Sequence, residues 1–146
     1  MIAIDTNILV YAHRRGWPFH EQARAALSEL FARGQPWAIA WPSIHEFFAV
    51  MTNPRASTVP VTSSQCVAQI DELMRVPNLR LMGEGPSHWQ TLTALLKAAN
   101  LQGPMVHDAR IAAICLQHGV REFWTADRDF SRFPSLNCRN PLIAAP

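Results

Sequence analysis

The stretch MIAIDTNILVYA, residues 1–12, places a carboxylate between two apolar segments. Residues 2–4 form a short apolar segment of the kind expected for a fully buried strand. Asp5 interrupts that pattern and is followed by Thr6 and Asn7. We therefore predict a strand that ends at Asp5 and a helix that begins at Thr6. As the residue before a helix, Asp5 could serve as its N-cap, which taken alone would explain its position.

Short apolar segments alternate with amphipathic ones along the rest of the chain. Further strands are predicted in PWAIAWP (36–42), NLRLM (78–82) and REFWTA (121–126), and a last one from about residue 137. Helices are predicted over residues 19–33, 43–52, 63–75, 88–100 and 105–119, with Gly34 as a C-cap and Ser63 or Ser64 as an N-cap. This alternation indicates an α/β fold in which a mainly parallel central sheet is flanked by helices.

Length and composition favour one soluble domain over residues 1–146. The chain of 146 residues has no apolar run of about 18 residues, so we expect no membrane contact. Asp5 interrupts the N-terminal apolar run, so no signal peptide is expected. Cys66, Cys115 and Cys138 are far apart and form no CxxC motif. They are expected to be small buried residues, and a cytoplasmic location suits them.

The basic residues are almost all arginine. Lys97 is the one lysine among 13 basic residues, and the formal net charge is +2. Arginine binds phosphate through its planar guanidinium, which favours contact with nucleic acid. A GC-rich genome would produce the same bias, so composition alone leaves both explanations open.

The aspartates lie in unusual places for surface residues. Asp71 belongs to an ordinary solvent-facing Asp-Glu pair, but Asp5, Asp108, Asp127 and Asp129 lie at predicted turning points of the chain. Functional groups of parallel sheets gather at the carboxyl ends of strands. Several converging carboxylates would repel one another without a cation, and hard divalent cations prefer oxygen ligands. The pattern therefore indicates a Mg²⁺ or Mn²⁺ site that acts on a phosphodiester.

Each acidic residue also has a structural explanation. Ser43-Ile-His-Glu46 reads as a capping box for its helix. Asp108 near a helix start complements the helix dipole. Asp127 could cap a short helical turn, and Asp129 could be a solvated loop residue.

Together, the four motifs IAIDTNILVYA, WPSIHEFFAV, VHDARIAAI and FWTADRDF resemble the acidic landmarks of the PIN-domain nucleases. Within that family, the segments TNPR (52–55) and NPL (140–142) are similar to those of VapC-type toxins of bacterial toxin–antitoxin pairs. The resemblance covers essentially the whole chain. It implies a PIN-like three-layer fold and a metal-dependent endoribonuclease that cleaves structured RNA such as tRNA or rRNA loops.

The resemblance also implies roles for individual residues. The catalytic set would be Asp5, Glu46, Asp108 and Asp127, with Asp5, Asp108 and Asp127 as ligands of Mg²⁺ or Mn²⁺. Glu46 would orient the attacking water or bind the metal through water. Supporting hydrogen bonds would come from Thr6, Asn7 and Thr125. Asp129 is left outside the core set, and His107 is expected to be structural or merely exposed.

Partners follow from the same resemblance. We expect an RNA substrate, a cognate antitoxin and a homodimer. Candidate phosphate contacts are Arg110, Arg128 and Arg132. Candidate walls of an antitoxin groove are Trp17, Trp41, Phe47 and Phe48, although a core position is the better prediction for the two phenylalanines.

Other classes fit less well. A haloacid-dehalogenase-like phosphatase needs D-x-D, but Asn7 stands where the second aspartate would be. A receiver domain needs an acidic pair after its first strand, and a dinucleotide site needs G-x-G-x-x-G, and neither pattern is present. Two alternatives remain open. One is a PIN nuclease that acts in RNA processing outside a toxin–antitoxin pair, and the other is an inactive PIN domain that only binds RNA or a partner.

Overall fold

The computed structural model describes residues 1–56 and 59–143, and these ranges contain five strands, six α-helices and two 3₁₀ helices. The strands are β1 (Ile2–Ile4), β2 (Trp37–Ala40), β3 (Leu79–Met82), β4 (Glu122–Trp124) and β5 (Cys138–Arg139). The α-helices are α1 (Thr6–His13), α2 (His20–Ala32), α3 (Trp41–Thr52), α4 (Ser63–Met74), α5 (His88–Ala98) and α6 (Val106–Gln117). The 3₁₀ helices span Gly103–Met105 and Arg128–Arg132.

The five strands form one sheet in the order β3-β2-β1-β4-β5, and every neighbouring pair is parallel. Ile4 of β1 pairs with Ile39 on one side and with Trp124 on the other. The chain first builds the sheet from β1 outward to β3, and then crosses back to place β4 on the free side of β1. The predicted parallel α/β fold is therefore confirmed.

Helices cover both faces of the sheet. Ile2 and Ile4 belong to a buried cluster with residues of α1 to α4, whereas Ala3 belongs to a second cluster with residues of α5 and α6. Successive strand residues point to opposite faces, so this alternation divides the core into two layers. Small side chains meet on the second face, where Ala3 and Ala112 are both fully buried. The arrangement is helix–sheet–helix, as expected.

Two helix starts differ from the sequence prediction. α3 begins at Trp41, two residues before the predicted Ser43, because Pro42 is accommodated in the first turn of a helix. α4 is capped by Thr62 and not by Ser63 or Ser64. The Thr62 hydroxyl accepts a hydrogen bond from the Gln65 amide at 3.2 Å, and the Gln65 side chain accepts one from the Thr62 amide at 2.9 Å. This reciprocal pair is a capping box.

Several local predictions are confirmed. Gly34 follows α2 with a φ of 64°, a left-handed conformation that glycine adopts without strain. Cys66 and Cys115 are buried, whereas Cys138 is only partly so. The segment NPRASTVPVTS (53–63), which its Pro, Ser and Thr content predicts to be a loop, includes Ser57 and Thr58, which lie outside the described residues. Among the described residues, no helix combines the length and apolarity needed to cross a bilayer.

Candidate metal and nuclease site

The sheet topology brings the first and last acidic motifs together. β1 is central, and its neighbours β2 and β4 are reached by chain segments that leave in opposite directions, which is where ligands bind in open parallel sheets. Because Ile4 pairs with Trp124, the next residues, Asp5 and Thr125, lie side by side at the carboxyl edge. The Asp5 amide also donates a hydrogen bond to the Trp124 carbonyl at 2.9 Å.

Asp5 lies at the bottom of a cavity, 4% exposed, and its carboxylate accepts three hydrogen bonds. The Thr6 amide donates to Oδ1 at 2.8 Å, which makes Asp5 the N-cap of α1. The Asn7 side-chain amide and the Thr125 hydroxyl each donate to Oδ2 at 2.6 Å. We call Asp5 with Thr6, Asn7 and Thr125 the floor of the site. The capping prediction for Asp5 is thus correct, and it is compatible with a second role because the side chain also faces the cavity.

The floor is joined to the rest of the fourth motif, FWTADRDF, through a short hydrogen-bond network. The side-chain oxygen Oδ1 of Asn7 accepts a hydrogen bond from the Ala126 main-chain amide at 3.0 Å, which fixes the orientation of the Asn7 side-chain amide. The Thr125 hydroxyl accepts one from the Asp127 amide, also at 3.0 Å. The residues after β4 are therefore held against the start of α1.

Burial raises the pKa of Asp5 to about 7 from an ordinary value of 3.8. The hydrogen bonds from Thr125 and Thr6 oppose this shift, whereas the negative charges of Glu46 and Asp108 reinforce it. A carboxyl group of this kind ionises readily when a cation is placed beside it.

Glu46 reaches the same cavity from α3. The Thr6 hydroxyl donates a hydrogen bond to Glu46 Oε2 at 2.8 Å across 40 residues of sequence. The capping-box explanation for Glu46 is wrong, because Ser43 lies inside α3 and Ala40 precedes its first residue. The Ser43 hydroxyl is buried and has no hydrogen-bond partner among the described residues. Glu46 is itself exposed, with Thr6 as its link to the floor.

Asp108, Asp127 and Asp129 form a second group, which we call the rim. One carboxylate oxygen from each of the three lies within 4.8 Å of the other two. Asp108 is in the first turn of α6, and Asp127 caps the 3₁₀ helix by accepting a hydrogen bond from the Asp129 amide at 2.8 Å. The predicted capping role of Asp127 is confirmed. Asp129 was assigned to a solvated loop by its sequence context, but it belongs to the cluster, and the D-x-D spacing with Asp127 was the signal available.

Burial also raises the pKa of Asp108, and the charges of Asp127, Glu46 and Asp129 add to this effect. The positive field of His107 opposes it. Four carboxylates, from Asp5, Glu46, Asp108 and Asp127, line one cavity of about 230 Å³. The sequence-predicted acidic set is therefore brought together around a single space.

The donor set fits a hard divalent cation. The rim and Asp5 provide carboxylate oxygens, which Mg²⁺ and Mn²⁺ prefer, and no cysteine or histidine lines the described part of the cavity. Burial is the main cause of the raised pKa values of Asp5 and Asp108, and repulsion from the neighbouring carboxylates adds to it. A bound cation would relieve that repulsion. The residues present therefore fit such an ion.

The candidate groove residues and His107 differ in their exposure to solvent. Phe47 is 1% exposed and belongs to the core, so it cannot form a groove wall, and Phe48 packs against the same core. Trp17 lines the acidic cavity, and Trp41 is 39% exposed. His107 is exposed.

The three arginines differ in their pairing. Arg110 forms an ion pair with Glu84. Arg132 lies 3.6 Å from an Asp129 carboxylate oxygen. Arg128 is exposed and has no ion pair or hydrogen bond with its side chain among the described residues. Of the three guanidinium groups, that of Arg128 is therefore the most available for contact with another molecule.

Comparison with known proteins identifies the family of this chain. The family model of the PIN domain matches residues 2–136. The VapC ribonuclease Mb2897 of Mycobacterium bovis is 31% identical over 142 residues, which cover 97% of this chain and 96% of that protein. The chain belongs to the PIN domain family, and within it to the VapC group.

Two further comparisons agree with this assignment. Ribonuclease VapC48 of Mycobacterium tuberculosis is 28% identical over 138 residues, covering 94% of this chain and 95% of its own. The crystal structure of VapBC2 from Rickettsia felis, bound to a promoter DNA fragment, matches with a TM-score of 0.69. That match covers 96% of this PIN-domain chain and 98% of the other at 22% identity, so it shows a shared fold.

Proposed function

We propose that this chain is a metal-dependent endoribonuclease toxin of the VapC type, which hydrolyses a phosphodiester bond in structured RNA. The observation that carries the proposal is the convergence of Asp5, Glu46, Asp108 and Asp127 on one cavity at the carboxyl edge of the sheet. The names of the curated relatives, which are ribonucleases, support the choice of RNA.

Asp5, Asp108 and Asp127 would hold Mg²⁺ or Mn²⁺, and Asp129 would complete the rim. A bound divalent ion would activate water and stabilise the charge that develops on the phosphate. The fit rests on the oxygen-only donor set and on the raised pKa values of Asp5 and Asp108.

Other residues of the site would orient the Asp5 carboxylate and position the attacking water. The hydrogen bonds from Thr6, Asn7 and Thr125 keep the Asp5 carboxylate in one orientation, and such support is worth about 10–100-fold at metal sites. Glu46 is exposed and oriented by the Thr6 hydroxyl, so it would position the attacking water and accept its proton.

RNA would approach across the rim with its phosphates beside arginine. Arg128 follows Asp127 directly and is free of partners among the described residues. Contacts of this kind make affinity salt-dependent because phosphate neutralisation releases counterions. The affinity for RNA is therefore expected to fall as ionic strength rises.

The proposal includes a cognate antitoxin, a homodimer and a cytoplasmic location. A toxin–antitoxin complex from Klebsiella pneumoniae shares the fold at 20% identity, with a TM-score of 0.61, which supports an antitoxin partner. Trp17 and Tyr11 line the acidic cavity, so an inserted antitoxin segment would meet aromatic surface as well as carboxylates. A small reading frame beside the gene, with a DNA-binding N-terminal half, is the expected source of the antitoxin.

The test is RNA cleavage by the purified chain and by Asp108→Asn, with Mg²⁺, Mn²⁺ or a chelator, followed by sequencing of RNA 5′ ends. Asp71→Asn is the matched control, because Asp71 is an exposed aspartate on α4 that does not line the cavity. We expect defined cleavage sites with the wild type and Asp71→Asn only in the presence of metal. Cleavage by Asp108→Asn at the wild-type rate, or cleavage that survives the chelator, would refute the proposal.

A further inference from the structure

A second cavity opens beside the acidic one. It has a volume of about 590 Å³, within the range of ligand-binding clefts, whereas the acidic cavity measures about 230 Å³. Tyr11 and Asp127 line both, so the two spaces are neighbours that share walls. We call the larger one the side groove, and Phe19, Arg128 and Arg139 also line it.

Phe19 is held at this groove in an unfavourable backbone conformation. It precedes α2 with a φ of 66° and a ψ of 8°, a left-handed region that bulky side chains rarely adopt. Such strain persists only where the surroundings enforce it, and it clusters at functional sites. The start of α2 is held against α1 next to Phe19, because His20 Nδ1 lies 2.8 Å from the Tyr11 carbonyl oxygen.

The result is an aromatic ring that remains partly open to solvent. Phe19 is 43% exposed, although it is a large apolar side chain. It packs edge-on against Tyr11, with 5.8 Å between ring centroids and 73° between ring planes. Tyr11 in turn reaches the acidic cavity, so an aromatic pair runs from the carboxylates into the side groove.

The charges of the groove favour a phosphate. Arg128 and Arg139 line it, and Asp127 is its one carboxylate among the described lining residues. Arg139 is partly engaged, because its guanidinium lies over the Trp124 ring and 3.6 Å from Glu122. Arg128 has no such partner among the described residues and adjoins the rim.

We infer that the side groove is a nucleotide subsite, which binds one nucleotide of the RNA next to the bond being cut. Its base would stack on Phe19, and its phosphate would lie at Arg128. This inference rests on the proposed ribonuclease function and extends it, because it assigns Phe19 to substrate binding and places the phosphate held by Arg128 in the side groove. Stacking on an aromatic ring accepts every base, so Phe19 would add affinity more than sequence choice. An amphipathic helix of a protein partner is the competing occupant.

The test uses the full chain and 2-aminopurine riboside 5′-monophosphate, whose fluorescence is quenched when its base stacks. Phe19→Gly removes the ring and tolerates the positive φ, so the fold should be kept. We expect it to weaken binding of the probe by about 10-fold, a typical stacking contribution. Phe19→Trp should restore binding, and Trp89→Ala, which removes an aromatic residue 68% exposed on α5, should leave it unchanged.

A second comparison isolates the phosphate. Arg128→Gln should weaken binding of the monophosphate and leave binding of the unphosphorylated 2-aminopurine riboside unchanged. In Mn²⁺-dependent RNA cleavage, Phe19→Gly should lower kcat/KM by a similar factor of about 10. Wild-type probe affinity in both Phe19→Gly and Arg128→Gln would overturn the subsite.

The remaining outcomes separate this inference from its premise. If the wild type fails to cleave RNA but binds the probe in a Phe19-dependent way, the ribonuclease function fails, and nucleotide binding in the side groove stands without a role in cleavage. If the wild type cleaves RNA and Phe19→Gly cleaves equally well, the function stands and the subsite fails. If Phe19→Gly loses its antitoxin but keeps nucleotide affinity, the groove docks a protein and the inference is wrong.

Discussion

The floor and the rim of the acidic cavity hold their carboxylates in opposite ways. Asp5 is buried and accepts three hydrogen bonds from Thr6, Asn7 and Thr125. On the rim, Asp127 accepts one hydrogen bond from the amide of Asp129, and no hydrogen bond to the Asp108 side chain is made by the described residues. The floor is organised by the protein itself, whereas the rim holds three like charges within 4.8 Å. Under the proposed function, Asp5 would therefore be a ligand that the protein holds in place, and a cation would organise the other carboxylates.

The largest effect should come from removing a proposed ligand on either side. Asp5→Asn and Asp108→Asn are each expected to lower Mn²⁺-dependent RNA cleavage by about 10³-fold or more, beyond the 10–100-fold that loss of a ligand's supporting partner causes. Steady-state cleavage assays with excess metal would measure this. If only one of the two variants were inactive, the floor and the rim would not share one metal site.

The next effect concerns stability and pH in the metal-free chain. Asp5 has a folded-state pKa of about 7 against 3.8, so the folded state binds its proton more tightly than the unfolded state. The free energy of unfolding should therefore decrease as pH rises from about 4 to about 7, and then level off. At about 1.4 kcal/mol per pKa unit, the upper value of this decrease is about 4 kcal/mol.

Urea unfolding across this pH range, with a chelator present, would test that expectation. Asp5→Asn should show a smaller decrease, and not a vanishing one, because the pKa of Asp108 is also raised by burial. An identical pH dependence in both proteins would show that Asp5 does not titrate as described.

Asp129 provides a finer test of the rim. It is exposed, so Asp129→Asn is expected to weaken Mn²⁺ affinity by about 10-fold, the lower end of the range for groups that support a metal site. Isothermal titration against Asp71→Asn as a control would measure this. An effect as large as that of Asp108→Asn would make Asp129 a full member of the ligand set.

An effect of similar size should come from the floor's supporting hydroxyl. Thr125→Val removes the 2.6 Å hydrogen bond to Asp5 but keeps the shape of the side chain, and it should lower kcat/KM by roughly 10-fold. Thr125→Ser keeps the hydroxyl and should restore activity. If Thr125→Ser were as poor as Thr125→Val, the packing of the methyl group would matter and the hydrogen bond would not.

The same two regions show what sequence reasoning could reach. The position of Asp5 and the parallel sheet followed from the local alternation of apolar and polar residues, and these expectations were correct. The capping-box interpretation of Glu46 was wrong because Pro42 moves the start of α3 to Trp41, and because the partner of Glu46 is Thr6, 40 residues away.

Only part of the rim could be predicted from the sequence. Asp127 was correctly expected to cap a short helical turn, but the proximity of Asp129 to Asp108 depends on how α6 packs beside that turn. The strained backbone of Phe19 left no local signal, since such conformations are usually marked by glycine. Long-range pairing decides features of this kind, and a sequence pattern does not contain it.

The most direct test of the central claim is the count of protons released when Mn²⁺ binds to the metal-free chain. Isothermal titration at about pH 6, in two buffers of different ionisation enthalpy, gives this number. Because the pKa of Asp5 is about 7, the account predicts Mn²⁺ binding with release of close to one proton, and fewer protons at about pH 8. Binding without proton release at pH 6, or no binding of Mn²⁺ at either pH, would contradict it.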